Sequence, residues 1–113
     1  MSAPPRLKTD ILARALVRES ARDGRSAMVL RKGDATAGGI LVVLVNRAGE
    51  GIVLSQTRTP EGDPAWIRTS GLAPLTTQDM QAFLDRQVKY DPDLWVLEIE
   101  SDDFSPPFQA MLL

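Results

Sequence analysis

The chain has 113 residues, 13 Lys/Arg against 15 Asp/Glu, a net charge of −2, and neither Cys nor His. Without Cys, disulfides, thiolate catalysis, iron–sulfur clusters and the usual zinc sites are excluded; without His, the commonest general base and proton shuttle is missing. A domain of this length buries roughly two thirds of the surface its unfolded form exposes, so it folds without metal or disulfide.

The first five residues read as a loose tail. Thr9 is the expected N-cap of a helix, with Asp10 well placed in its first turn. The helix runs to about Arg22 and stops near Gly24, with Ile11, Leu12, Ala15 and Leu16 on one face. Glu19 falls within that apolar sector. Arg14, Arg18 and Arg22 recur every four residues as a stripe beside it. Ser26 to Arg31 reads as a first strand, and Lys32 to Gly39 as a turn-rich connection. Ile40 to Val45 is a continuous β-branched run, the pattern of a strand buried on both faces.

Asn46 to Gly51 is a hairpin loop, and Ile52 to Thr57 a third strand that turns polar at its end. Thr59 to Pro64 is a turn before a short fourth strand, Ala65 to Thr69. Thr76 caps a second helix with Met80, Phe83, Leu84 and Val88 on its apolar face. That helix ends near Tyr90, because Pro92 disfavours helical geometry at Asp91. The fifth strand follows. Trp95, Leu97 and Ile99 take one face; Leu94, Val96, Glu98 and Glu100 take the other. A strand apolar on both sides in its first half belongs inside a sheet. Residues 102–113 are an irregular C-terminal segment.

The order α-β-β-β-β-α-β predicts an α+β fold in a single domain over residues 1–113. The expected form is a five-stranded, mainly antiparallel sheet with both helices on one face. The other face would then need polar residues or a partner. The start Met-Ser-Ala-Pro-Pro-Arg-Leu-Lys lacks the apolar stretch of a secretory signal. The longest apolar run is far short of the roughly 20 residues that span a bilayer. The expectation is a cytoplasmic protein with no membrane partner.

Charge is uneven. Residues 1–33 carry +5, from eight Lys/Arg and three acids; residues 34–113 carry −7, from five and twelve. The basic third faces either an acidic partner or the acidic part of its own chain. Nucleic acid is disfavoured, since no aromatic residues interleave the basic ones and the pI is near 5.0.

Several constellations invite chemistry. The loop Lys32-Gly33-Asp34-Ala35-Thr36-Ala37-Gly38-Gly39 has glycines and flanking Arg31 and Lys32, but it lacks Gly-Lys-Ser/Thr and precedes a strand. A connection in which Asp34 bonds its own backbone and the glycines take positive φ explains it with less. Asp91 and Asp93 are too few ligands for a hard cation. Their simpler reading is a turn, with Asp91 bonding amides and Asp93 meeting an Arg. Glu98 and Glu100 stand about 6–7 Å apart on one strand face, a spacing that suits an acid and a base, or merely a solvated strand end. Trp66 beside Arg68 on a short strand is the composition of a binding hot spot; a core aromatic beside an exposed Arg is the simpler reading.

Three stretches, taken together, resemble domain-of-unknown-function family 1491, a group of uncharacterised small bacterial proteins. They are Arg6-Leu7-Lys8-Thr9, Leu30-Arg31-Lys32-Gly33-Asp34-Ala35 with Ala37-Gly38, and Tyr90-Asp91-Pro92-Asp93-Leu94-Trp95 with Glu98-Ile99-Glu100. The resemblance implies a compact bacterial domain and brings no activity, ligand or catalytic residue with it.

The reading favoured by the residues is a non-enzymatic binding or adaptor module. Its candidate surface is Trp66 and Arg68, with Arg14, Arg18, Arg31 and Lys32 nearby. Its partner is another protein or a second copy of the chain. The alternative is a sensor or small enzyme in which Arg31, Lys32, Asp34 and Glu98 converge on an anionic ligand. A second alternative is weak nucleic-acid binding through the first helix. No catalytic residue, metal ligand or cofactor is assigned.

Overall fold

The computed structural model describes residues 7–113. The tail expected at residues 1–5, and Arg6 of the first motif, lie outside the described residues. The elements come in the expected order: α1 (Thr9–Ser20), β1 (Ala27–Arg31), β2 (Ile40–Val45), β3 (Gly51–Arg58), β4 (Pro64–Arg68), α2 (Thr77–Tyr90) and β5 (Trp95–Glu100).

The strands form one mixed sheet in the order β1-β5-β2-β3-β4. β2, β3 and β4 form an antiparallel meander, and β1 is separated from it by β5. β5 pairs parallel with β2 and antiparallel with β1. The parallel pair is made possible by α2, which carries the chain back from β4 before β5 begins. β5 is thus an inner strand, as its two-sided apolar first half requires. Trp95, Val96, Leu97 and Ile99 are all buried.

The helices lie on opposite faces, which corrects the expectation that both share one. Ala13 and Leu16 of α1 pack with Ile40, Val42 and Leu44 of β2 and with Trp95, Leu97 and Ile99 of β5. Met80 and Leu84 of α2 pack with Leu41, Val43, Val53, Leu94 and Val96. The two sets alternate along β2 and β5. The physical reason was in the sequence: strands apolar on both sides need cover on both sides.

Each helix covers only part of its face. α1 packs against β1 and β5, while α2 lies over β2 and β3. On the α1 side, the rest of the sheet is covered by the C-terminal segment. Phe104, Phe108, Ala110 and Leu112 join the same core as Trp66. Phe108 meets Trp66 edge to face, with ring centroids 5.6 Å apart. The Trp66 N–H donates to the Met111 carbonyl at 2.8 Å, and the Leu113 N–H donates to the Trp66 carbonyl at 2.9 Å. The final residues thereby cap the β4 edge as a short parallel bridge.

α1 starts differently from expectation. Lys8 is the N-cap residue and makes no side-chain cap bond, and Thr9 is the first helical residue. The Thr9 hydroxyl donates to the Gly38 carbonyl at 2.8 Å instead. α2 is capped as expected, with the Asp79 N–H donating to the Thr76 hydroxyl at 3.1 Å. No helix of the described residues is long and apolar enough to cross a membrane.

Candidate functional site

The three motif stretches meet in space, at the end of the sheet where α1 begins. The Asp10 N–H donates to the Ala35 carbonyl at 3.0 Å. The Asp34 N–H donates to the Asp93 carbonyl at 3.0 Å, and the Trp95 indole N–H donates to the Asp34 carbonyl at 2.8 Å. The Arg31 guanidinium donates to the carbonyls of Pro92, at 2.8 Å, and Leu94, at 2.7 Å. The Asp34 carboxylate accepts from the Thr36 and Ala37 N–H groups, and the Asp91 carboxylate accepts from the Asp93 N–H at 3.2 Å. The turn readings of Asp34 and Asp91 therefore hold. The Arg expected at Asp93 bonds neighbouring carbonyls instead.

The glycines of this loop have another role than the expected positive φ. Gly33 and Gly38 both lie outside the left-handed region, and a Cβ at either would run into the Asp93 carbonyl oxygen. They are small so that two loops can touch. The junction is a lock in which Arg31, Asp34 and Trp95 bond to the chain's own backbone.

The candidate binding residues fall in separate places. Trp66 is 8% exposed, because Phe108 and the last residues cover it. It is a core aromatic and no surface anchor, and Arg68 beside it is half-buried. Arg14 and Arg18 are exposed on α1, and Lys32 is exposed at the junction. Glu98 sits opposite Met28, two residues along β5 from Val96, the partner of Arg31, whose guanidinium bonds the Pro92 and Leu94 carbonyls. Neither of the two surface clefts is lined by Arg31, Lys32 or Asp34.

The first cleft, of about 250 Å³, is polar and lies between Asp23, Gly24, Arg25, Glu100, Ser101 and Asp102. Arg25 spans it, donating twice to the Asp23 carboxylate and once to the Glu100 carbonyl. That hydrogen-bonded guanidinium holds the Asp23 carboxyl at about 2. The Ser105 N–H and hydroxyl lower Asp103 in the same way. Among the described residues no cluster of three or more acids is placed to hold a metal ion.

The second cleft is of another kind. It is a groove of about 240 Å³ between α2 and β1, lined by the apolar Leu30, Val43, Val45, Met80 and Leu84 and by Asn46, Arg47, Gly49, Thr77 and Gln81, with Glu98 on its floor. Met28, the register partner of Glu98, continues the floor outward. Met28 is 47% exposed and Leu30 is 46% exposed. This is the part of the sheet that α2 leaves bare. A bulge between Val29 and Arg31 sets Arg31 opposite Val96, where regular pairing would have set it opposite Trp95. Arg31 lies beyond the groove's lining, held by its bonds to Pro92 and Leu94.

Sequence reasoning missed this groove. A signal was present: Ser26 to Arg31 is apolar on both of its alternating sides, through Ala27 and Val29 on one and Met28 and Leu30 on the other. An edge strand with that pattern has one face too many for the helix beside it.

Comparison with known proteins supports the resemblance read from the motifs. The model of a protein family of unknown function, DUF1491, matches residues 7–109. A crystal structure of a DUF1491 family protein from Caulobacter crescentus CB15 is similar at 34% identity and a TM-score of 0.83, covering 96% of this chain and all of that one. An NMR structure of a DUF1491 family protein from the same organism is similar at 33% identity and a TM-score of 0.81, covering 97% and 99%. The solution structure of protein Atu0922 from A. tumefaciens is similar at 26% identity and a TM-score of 0.77, covering 96% and 98%. No curated protein matches the chain. With the motifs, the sheet order and the family match in agreement over nearly its whole length, the chain belongs to the DUF1491 family.

Proposed function

We propose that the chain is a protein-binding module that docks its partner on the bare strip of sheet between α2 and β1. One observation carries this reading. Met28 and Leu30 stand nearly half exposed, side by side on a strand, at the mouth of a groove whose lining is part apolar and part polar. Single exposed apolar side chains are ordinary, but a contiguous patch that continues into a groove is the mark of an interaction site. The anionic-ligand reading loses ground, because Arg31 and Asp34 already bond backbone groups.

The test compares the full chain with its Met28→Thr/Leu30→Thr variant as baits in a lysate of the source cells. Threonine suits a strand and carries no charge, so it removes the apolar surface alone. The expected result is one protein recovered near stoichiometry by the wild type and lost by the variant. Equal recovery of the same proteins by both baits contradicts the reading.

A further inference from the structure

The groove also says what kind of partner fits it. The bare strip is the outer face of β1 with the Glu98 and Glu100 end of β5, since Leu94 and Val96 are buried under α2; where Glu98 lies beside Met28 it is two strands wide. At a strand spacing of 4.7–4.9 Å that is about 10 Å across, the diameter of an α-helix. β1 has five residues, which makes the strip about 17 Å long. A helix of about 11 residues, three turns, has that length. Such a helix would lie beside α2 at the usual interhelical distance of about 8–10 Å. It would complete the layer that α2 begins.

The floor adds a charge requirement. Glu98 lies between Met28 on one side and Val43 on the other, both apolar. Among the described residues it has neither a salt bridge nor a side-chain hydrogen bond. Arg47 also lines the groove, but its guanidinium is turned to Asp102 at 3.8 Å. Past Glu98, the strip runs into Glu100, Asp102 and Asp23 at the polar cleft, where Arg25 is bound to Asp23. A cation brought by the partner would pair with Glu98 and face a mostly acidic end.

A second copy of the chain fits less well. A two-fold axis through the strip would set the two Glu98 carboxylates against each other. The strip is also small beside the roughly 800 Å² per partner of a standard interface between globular surfaces.

Resting on the protein-binding reading above, we infer that the strip receives a basic amphipathic helix of a partner protein. Its apolar side lies on Met28, Leu30 and Leu84, and a Lys or Arg reaches Glu98. This is helix-in-groove recognition, with anchors spaced three and four residues apart.

The test is site-specific photo-crosslinking in the source cells. The full chain carries a benzophenone amino acid at position 28 or, separately, at position 30. A third version carries it at Leu72, which is exposed away from the strip. The cross-linked segment is sequenced, synthesised as a peptide, and titrated against wild type, Glu98→Gln and Glu98→Lys. The expected segment has apolar residues at helical spacing with Lys or Arg between them, and it is not captured from position 72. Its affinity falls at least roughly tenfold with Glu98→Gln and further with Glu98→Lys. Capture of an acidic or extended segment, of a second copy of this chain, or of a peptide indifferent to Glu98 overturns the basic helix and leaves the binding module standing. No cross-link from either position 28 or position 30 overturns both.

Discussion

The two faces of the sheet are built to the same plan and finished differently. On each, one helix covers part of the sheet: α1 lies over β1 and β5, α2 over β2 and β3. On the α1 side the remainder is closed by the C-terminal segment, which brings Phe108 onto Trp66 and caps the β4 edge with backbone bonds. On the α2 side the remainder toward β1 is the strip of Met28, Leu30 and Glu98, with no segment of the described chain across it. The difference separates two uses of apolar surface. The covered half stabilises the fold; the bare half is the surface proposed for binding.

The sharpest test of that separation is Trp66→Ala. Truncating a buried Trp typically costs about 3–5 kcal/mol. Denaturant unfolding should register a loss of that size, and a loss under 1 kcal/mol would mean that the covered half contributes little. Deleting residues 110–113 should cost less. It removes two backbone hydrogen bonds to Trp66, worth about 1–3 kcal/mol together, and it should raise hydrogen exchange along β4 before other strands.

Smaller again is the stability effect of Met28→Thr/Leu30→Thr on the bare half. It should stay within about 1 kcal/mol, measured by the same unfolding curve, while partner recovery is lost. The smallest effect lies at the polar cleft. Asp23, held at about 2 by Arg25, stabilises the fold above its ordinary value of 3.8 and loses that contribution as pH falls toward 2. Asp23→Asn should therefore flatten the stability profile between about pH 4 and pH 2, with its small loss of stability present at pH 7 and gone at pH 2.

Much of this architecture was legible in the residues. Ile40 to Val45 and Leu94 to Ile99 carry the two-sided apolar pattern of inner strands, and they became neighbours. The same pattern also required cover on both faces, which a layout with both helices on one side did not supply. Trp66 was misread because its cover, Phe108, lies some forty residues further along the chain, beyond the reach of local pattern. Gly33 and Gly38 looked like turn residues, yet what they accommodate is the distant Asp93 carbonyl. The bare strip escaped for another reason. Alternation along β1 marks Met28 and Leu30 as apolar, but only the lateral offset of α2 leaves them uncovered, and offset has no sequence signature.

The most direct measurement is a pull-down from source cells with three baits in parallel: wild type, Met28→Thr/Leu30→Thr, and Arg14→Ala/Arg18→Ala/Arg22→Ala. Arg14 and Arg18 on α1, with Arg22 just past its end, are exposed and are the competing surface on the opposite side of the sheet. The bare strip as docking site predicts that the partner is lost with the first variant and kept by the second. A partner kept by the strand variant and lost with the arginines would contradict it, and would move the interface to α1.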